Sequence, residues 1–153
     1  MKINTLNFNQ KLPISLQEAW DFFSSPLNLA RITPVNMGFQ ITSDFKEGDK
    51  MYEGMLITYK VSPLFGIKLN WITEITSVRE GKYFIDEQRY GPFKIWHHEH
   101  HFIETDGGVM MRDKLIYAMP YGIIGTLAHN LMVGKKVQDI FRHREQVVKE
   151  LFK

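Results

Sequence analysis

The chain has no cysteine among its 153 residues, which removes disulfide frameworks, thiol catalysis and cysteine-based zinc modules in one step. It also lacks a long apolar run. Nothing approaches the roughly eighteen apolar residues of a membrane span, and the opening "MKINTLNFNQ" has no signal-peptide core. Strong charge of either sign is missing too. The formal net charge is +2, and no stripe of lysine and arginine stands out, so nucleic acid is not an expected partner. The most basic stretch, "KKVQDIFRHREQVVKELFK", is interleaved with Asp139, Glu145 and Glu150 and reads as the solvated face of a helix. There is no internal repeat, low-complexity tract or linker, and no serine-nucleophile constellation, glycine-rich phosphate loop or dinucleotide fingerprint. The expectation is a cytoplasmic protein without stable membrane insertion, folded as one domain over residues 1–153.

What is present is aromatic. Phe, Tyr and Trp make up 13% of a chain that is otherwise ordinary, with 44% hydrophobic and 24% charged residues. Such a surplus points to aromatic side chains lining a cavity or an interface as well as filling a core. The other concentration is "WHHEHHF" at residues 96–102, which holds four of the six histidines around one glutamate.

Period and punctuation organise the chain. "TLNFNQKL" alternates Leu6, Phe8 and Leu12 with polar residues, as a half-buried strand does. In "SLQEAWDFF", Ser15 and Glu18 have capping-box spacing, and Ala19, Trp20, Phe22 and Phe23 give an apolar helical face. "SPLNLARIT" predicts a second short helix with Ser25 as N-cap and Pro26 at its first position, ending before Pro34. From Phe39 to Met119 six strand-like runs follow: "FQITS", "MYEGMLITYKV", "IKLNWITEITSV", "YFIDEQR", "KIWHHEHHFIE" and "VMMRDKLIYAM". The turn signals between them are "FKEGDK", "SPLFG", "REGK", "YGPF" and "TDGG". A long C-terminal helix over "IIGTLAHNLMVGKKVQDIFRHREQVVKELF" closes the chain, its apolar face predicted to carry Leu127, Leu131, Val137 or Gln138, Phe141, Val148 and Leu151 or Phe152. The fold class is α+β: a curved antiparallel sheet of about seven strands wrapped round a long C-terminal helix, with two short helices after the first strand. If the twisted sheet curls round that helix, the gap between them is a cavity.

The order of elements, with "LPISLQEAWDFFSSPLNLARITP", "FIDEQRYGPFKIWHHEHHF", "DKLIYAMPYG" and "FRHR", resembles the START-like, helix-grip superfamily. That superfamily includes polyketide cyclases, lipid-transfer domains, coenzyme Q-binding proteins and the major birch pollen allergen. Within it the chain is most similar to the bacterial SRPBCC ligand-binding group. The resemblance runs over essentially the full length and implies the fold together with a small hydrophobic ligand. It does not fix an activity, because some members are enzymes and others only bind.

Side-chain parity then sorts the late strands. Trp96, His98, His100 and Phe102 share one face, and His97, Glu99 and His101 the other. A hairpin closing through Thr105, Asp106, Gly107 and Gly108 sets Phe102 across from Met111, His100 across from Asp113 and Trp96 across from Tyr117. The same reasoning turns Leu69, Trp71, Thr73 and Ile75 inward, with Met55, Ile57, Tyr59 and Val61, and places Phe84, Asp86 and Gln88 inside. Pairing Asp86 with His98 requires an odd-length connection or a bulge at Gly91-Pro92.

Three readings follow. The first is a binding cavity lined by Tyr59, Trp71, Phe84, Trp96 and Tyr117, with a polar group from Asp86, Gln88, His98, His100 and Asp113, holding a polyketide, quinone or lipid-like metabolite. The same aromatic residues also serve simply as core. The second is a cyclase or dehydratase, with His98 or His100 as acid or base oriented by Asp113 or Asp86. The third is an interaction module whose basic terminal helix, through Lys135, Lys136 and Arg142, docks a partner or a membrane surface. An H-x-H zinc site at His98 and His100, with Asp113 or Asp86 as third ligand, is weighed and set aside, since no third histidine lies nearby in sequence and the helical H-E-x-x-H order is absent. The expected metal is none, and no motif calls for a cofactor. "MPYGIIG", where glycines interrupt the helical pattern, is the expected gate if the cavity has one.

Overall fold

A computed structural model describes residues 1–62 and 66–153. Seven antiparallel strands form one sheet in the order β1-β7-β6-β5-β4-β3-β2. They are β1 (Ile3–Leu12), β2 (Gln40–Ile41), β3 (Leu56–Val61), β4 (Leu69–Arg79), β5 (Tyr83–Tyr90), β6 (Ile95–Thr105) and β7 (Gly108–Ala118). Helix α1 (Leu16–Phe23) begins at the expected box: the Ser15 hydroxyl accepts from the Glu18 N–H, and a Glu18 carboxylate oxygen accepts from the Ser15 N–H. Its buried Trp20 meets Phe102 edge-on with ring centroids 5.6 Å apart, which seats the helix on β6.

The second short helix differs from the expectation. It opens as a 3-10 turn over Pro26–Asn28, and only α2 (Leu29–Ile32) is α-helical; Ser25 makes no side-chain cap. The strand ladders are shorter than the alternating runs suggested. Only Gln40 and Ile41 of "FQITS" pair, and "MYEGMLITYKV" pairs from Leu56 onward, because Met51–Met55 turn back toward Ser24 and Ile75 instead. The expected "SPLFG" turn falls partly on residues 63–65, outside the described residues.

Between β6 and β7 the register is the predicted one, with Phe102 opposite Met111, His100 opposite Asp113 and Trp96 opposite Tyr117. Asp86 lies opposite His98, through the odd-length connection between Glu87 and His97. Two irregularities sit instead between β4 and β5, where Arg89 and Thr76 are left without a partner across the ladder. Each bends its strand, and together they curl the sheet.

The last segment is one continuous run: α3 (Gly122–Ala128), a π-helical turn over His129–Val133 and α4 (Gly134–Leu151). That turn corrects the predicted apolar face. An i→i+5 turn holds an extra residue and rotates the residues before it relative to those after it. Val133, Val137, Phe141 and Val148 are buried, but Leu127 and Leu131 point to solvent. Two contacts lock that rotation. His129 Nε2 lies 2.8 Å from the Tyr117 hydroxyl, and Gly125 packs so closely that a Cβ there would sit 1.8 Å from the Pro120 carbonyl oxygen. No helix among the described residues is long and apolar enough to cross a membrane.

Candidate functional site

The sheet's concave face and α4 enclose a cavity of about 400 Å³, within the range of small-molecule sites. Its sheet wall includes Ile57, Tyr59, Trp71, Thr73, Phe84 and Trp96, and its helix wall Val133, Lys136, Val137, Ile140, Phe141 and Arg144. The aromatic members touch one another: Tyr59 stacks on Trp71 at 5.8 Å, and Trp96 meets Trp71 edge-on at 5.3 Å. The fold brings these side chains together because β3, β4 and β6 turn the same parity inward.

At one end of the cavity lies a buried polar box. Asp86 of β5, His98 and His100 of β6 and Asp113 of β7 meet across three neighbouring strands. His100 Nε2 is 2.8 Å from Asp86 Oδ2, and His98 Nε2 is 3.1 Å from Asp113 Oδ1. His100 Nδ1 lies 2.9 Å from the same Asp113 oxygen, while His98 Nδ1 is held loosely at 3.5 Å from Asp86. The two imidazoles are 3.7 Å apart, and Phe84 stacks on His100 at 4.2 Å. Arg144 of α4 completes the box with Nη2 3.4 Å from His100 Nδ1.

The electrostatics follow from that geometry. Burial pushes His98 down, and the neighbouring His100 charge pushes it further, so it stays neutral. Burial would lower His100 as well, but the Asp113 and Asp86 carboxylates outweigh it and hold His100 above its usual value. Asp113 is held well below the carboxylate range, because the Arg144 charge and the two histidine hydrogen bonds outweigh burial; Asp86 is lowered in the same way, led by His100. Two carboxylates thus face the Arg144 guanidinium and an imidazole whose protonation they favour, while His98 is driven toward its neutral form. Opposite charges placed together are the condition for keeping them buried.

This balance also bears on metal. One atom each from Asp86, His98 and His100 lies within 4.8 Å of the others, a donor set that suits a divalent ion. An ion there would have to displace the proton shared by His100 and Asp86 and tolerate the Arg144 charge, so the box serves better as a polar network.

The opposed histidines give the protein a stability optimum. His98, lowered by folding, costs stability as pH falls below the unfolded histidine value of about 6.5. His100, raised by folding, contributes fully below that value and loses its contribution as pH climbs through its folded pKa. Denaturant melts are therefore expected to show maximal stability near pH 6.5 with a decline on the alkaline side, and His100→Asn is expected to flatten that decline. Stability that keeps rising from about pH 6.5 to 8.5 would mean His100 is neutral in the folded protein.

Of the residues singled out in the sequence, Tyr59, Trp71, Phe84, Asp86, Trp96, His98 and His100 line the cavity. Three do not. Gln88 turns its amide onto the backbone of Phe93, donating to its carbonyl at 2.6 Å and accepting from its N–H at 3.1 Å, so it clamps the β5–β6 connection. Tyr117 is buried in a neighbouring cluster with Val133, Val137 and Phe141, its hydroxyl on His129. Asp113 stands behind the histidines and reaches the cavity only through them. The outward set behaves as a solvated network: Glu99 bonds His101, Lys114 and His97, and the His101 contact leads in lowering its pKa to about 2.

Arg144 and Lys136 are lining members that the sequence reading does not assign to the cavity, whereas Thr73 is turned inward by parity without being counted in the site. Lys136, Ile140 and Arg144 follow one another at i, i+4 and i+8, a stripe that was available in the sequence but was absorbed into a solvated basic face. Thr73 pairs with the Tyr59 hydroxyl at 3.1 Å. Two of the cavity-lining residues carry a buried donor without a hydrogen-bond partner among the described residues, Trp71 at Nε1 and Arg144 at Nε.

No family model and no curated protein matches this chain. Solved structures do match. Protein CV1439 from Chromobacterium violaceum superposes with a TM-score of 0.73 at 12% identity, covering 97% of each chain. TTHA0849 from Thermus thermophilus gives 0.66 at 14% identity over 98% of this chain and 100% of that one. Ara h 8.0201 gives 0.61 at 16% identity over 96% and 98%. At such identities the likeness is one of fold, and the fold these chains share with this one is the helix grip: a curved seven-stranded sheet closed on a long C-terminal helix.

Proposed function

We propose that this protein, a START-like helix-grip member, binds a small, mostly apolar molecule between sheet and terminal helix, and that the molecule presents a hydrogen-bond acceptor or an anionic group to Arg144. One observation carries the reading: the cavity is walled by aliphatic and aromatic side chains, and two residues of that wall, Trp71 and Arg144, each carry a buried donor (Nε1 and Nε) with no partner among the described residues. A buried donor without an acceptor costs about 1–3 kcal/mol, and a ligand acceptor that reached either one would remove that cost. Charge agrees with this. The cavity's carboxylate, Asp86, is already engaged by His100, whereas Lys136 and Arg144 bring positive charge to the helix wall. Aromatic acids, phenolates and fatty acids have the required chemistry.

Catalysis by the histidines is the second reading, favoured by two cavity imidazoles whose protonation is driven apart. The nitrogens limit it. Three of the four already sit within 3.1 Å of a carboxylate oxygen, and only His98 Nδ1, at 3.5 Å, is loosely held. Proton transfer to a ligand would have to pass through that atom.

Native mass spectrometry of protein purified from its own host, followed by denaturing extraction, tests the binding reading. An apolar organic acid or carbonyl compound at near-unit stoichiometry is the expected result. Stoichiometric zinc with no organic compound would overturn it and make the Asp86, His98, His100 group the centre of the protein's chemistry.

A further inference from the structure

Helix α3 and the π-helical turn carry a large exposed apolar surface that the cavity does not use. Tyr121 is 82% exposed, Ile123 89%, Ile124 75%, Leu127 59% and Leu131 77%. Ile123, Leu127 and Leu131 follow at i, i+4 and i+8 with Ile124 alongside, so they make one stripe, while Gly125 and His129 face the protein. Scattered apolar side chains on a surface need no explanation, but a contiguous stripe marks a docking site.

Charge identifies the occupant. No Asp or Glu occurs between Lys114 and Asp139, a span that contains the whole stripe. Lys135 and Lys136 follow it directly, and exposed Lys94 is tied beside its start by a backbone bond to the Ala118 carbonyl. None of the three makes an ion pair among the described residues. An apolar helix face of Ile and Leu, with a tyrosine at one end and unpaired lysines at its margins, has the composition of a helix that lies in a membrane interface. A second copy of this chain fits less well, because a symmetric pairing through the stripe would bring these lysines toward one another.

We propose that residues 121–132 dock this protein peripherally onto a bilayer containing anionic lipid, with Ile123, Ile124, Leu127 and Leu131 entering the headgroup boundary and the exposed Lys94 and Lys135 contacting lipid phosphates. The surface adjoins the cavity: Met119, just before the stripe, and Val133 and Lys136, just after it, line the cavity wall. Docking would therefore bring the wall next to the bilayer. Tyr121, the one described non-glycine residue with positive φ, at 64°, turns the chain from β7 into this helix and holds its own ring outward. The proposal stands on the surface alone and does not depend on what the cavity binds.

Flotation of the full chain with vesicles tests it. Phosphatidylcholine vesicles with about 30 mol % phosphatidylglycerol are expected to retain the protein at low salt and to release most of it when the ionic strength rises to about 0.5 M. Pure phosphatidylcholine should retain roughly tenfold less. The variant Ile123→Asp/Leu127→Asp, altered only at exposed positions, is expected to keep its melting temperature and lose vesicle binding at least about tenfold; Lys94→Glu/Lys135→Glu should lose the preference for anionic lipid. Three results would overturn the proposal. They are no association of the wild-type chain with anionic vesicles, equal association by the aspartate variant, and a concentration-dependent dimer in sedimentation that Leu127→Asp converts to monomer, which would assign the stripe to a second copy.

Discussion

Asp113→Ala is expected to lower the stability of the protein by about 3–5 kcal/mol, with a fall in melting temperature of roughly 10 °C or more. Removing this carboxylate leaves His98 Nε2 without its partner and leaves Arg144 and His100, whose protonation Asp113 favours, facing each other with only Asp86 beside them. In water such a change would be worth little. Here His98, His100 and Asp113 are all buried, so the uncompensated charge can relax only by deprotonating His100 or by admitting water. Asp113→Asn separates the two contributions: it preserves shape and an acceptor but not charge, and a loss near that of alanine would show that charge balance dominates. Replacing the whole box and Arg144 together by apolar residues of similar size should cost far less than the sum of the single changes, because no group is then left uncompensated. Chemical denaturation of the three variants at one pH is sufficient. A loss under about 1 kcal/mol for Asp113→Ala would mean that water already reaches the box.

Arg144→Met is expected to weaken binding of an apolar anion by roughly tenfold to a hundredfold while leaving the neutral analogue within about threefold. Anilinonaphthalene sulfonate and phenylnaphthylamine share one skeleton and differ by the sulfonate, and both report binding by fluorescence. The guanidinium reaches the cavity from α4, lies 3.4 Å from His100 through Nη2, and keeps Nε without a partner. Methionine retains much of the apolar stem and removes the guanidinium, whose carbon lies 5.9 Å from the Phe23 ring centroid. The neutral probe therefore controls for packing. Equal weakening of both probes would show that Arg144 only shapes the wall, and no change in either would move the anion to Lys136.

The strand face and the box came from different amounts of information. Alternation in "KIWHHEHHF" and the glycine turn at Gly107 and Gly108 were enough to place His100 opposite Asp113 and Phe102 opposite Met111, because a two-residue period and a tight turn leave one register that buries the aromatic side. The capping box at Ser15 was legible for the same reason: it is a local hydrogen-bond exchange written in adjacent residues. Gln88 was assigned to the inner face correctly by parity, yet its amide bonds Phe93, since parity fixes the direction of Cβ and not the partner a long side chain chooses.

Short-range periodicity and turn chemistry were enough to dictate the antiparallel order of β2 to β7, the inward side of each late strand and the presence of a terminal helix, but not the place of β1 beside β7. Which residues of that helix face the sheet was settled by tertiary packing. The π-helical turn at His129–Val133 shifts the face by a fraction of a turn, burying Val133 and Val137 and turning Leu127 and Leu131 outward. That shift is set by contacts to residues outside the helix, the Tyr117 hydroxyl on His129 and the fit of Gly125 under Pro120, and a helical pattern carries no record of either. The same rotation delivers Arg144 to the histidines. The charge balance of the site is thus a property of how helix and sheet meet.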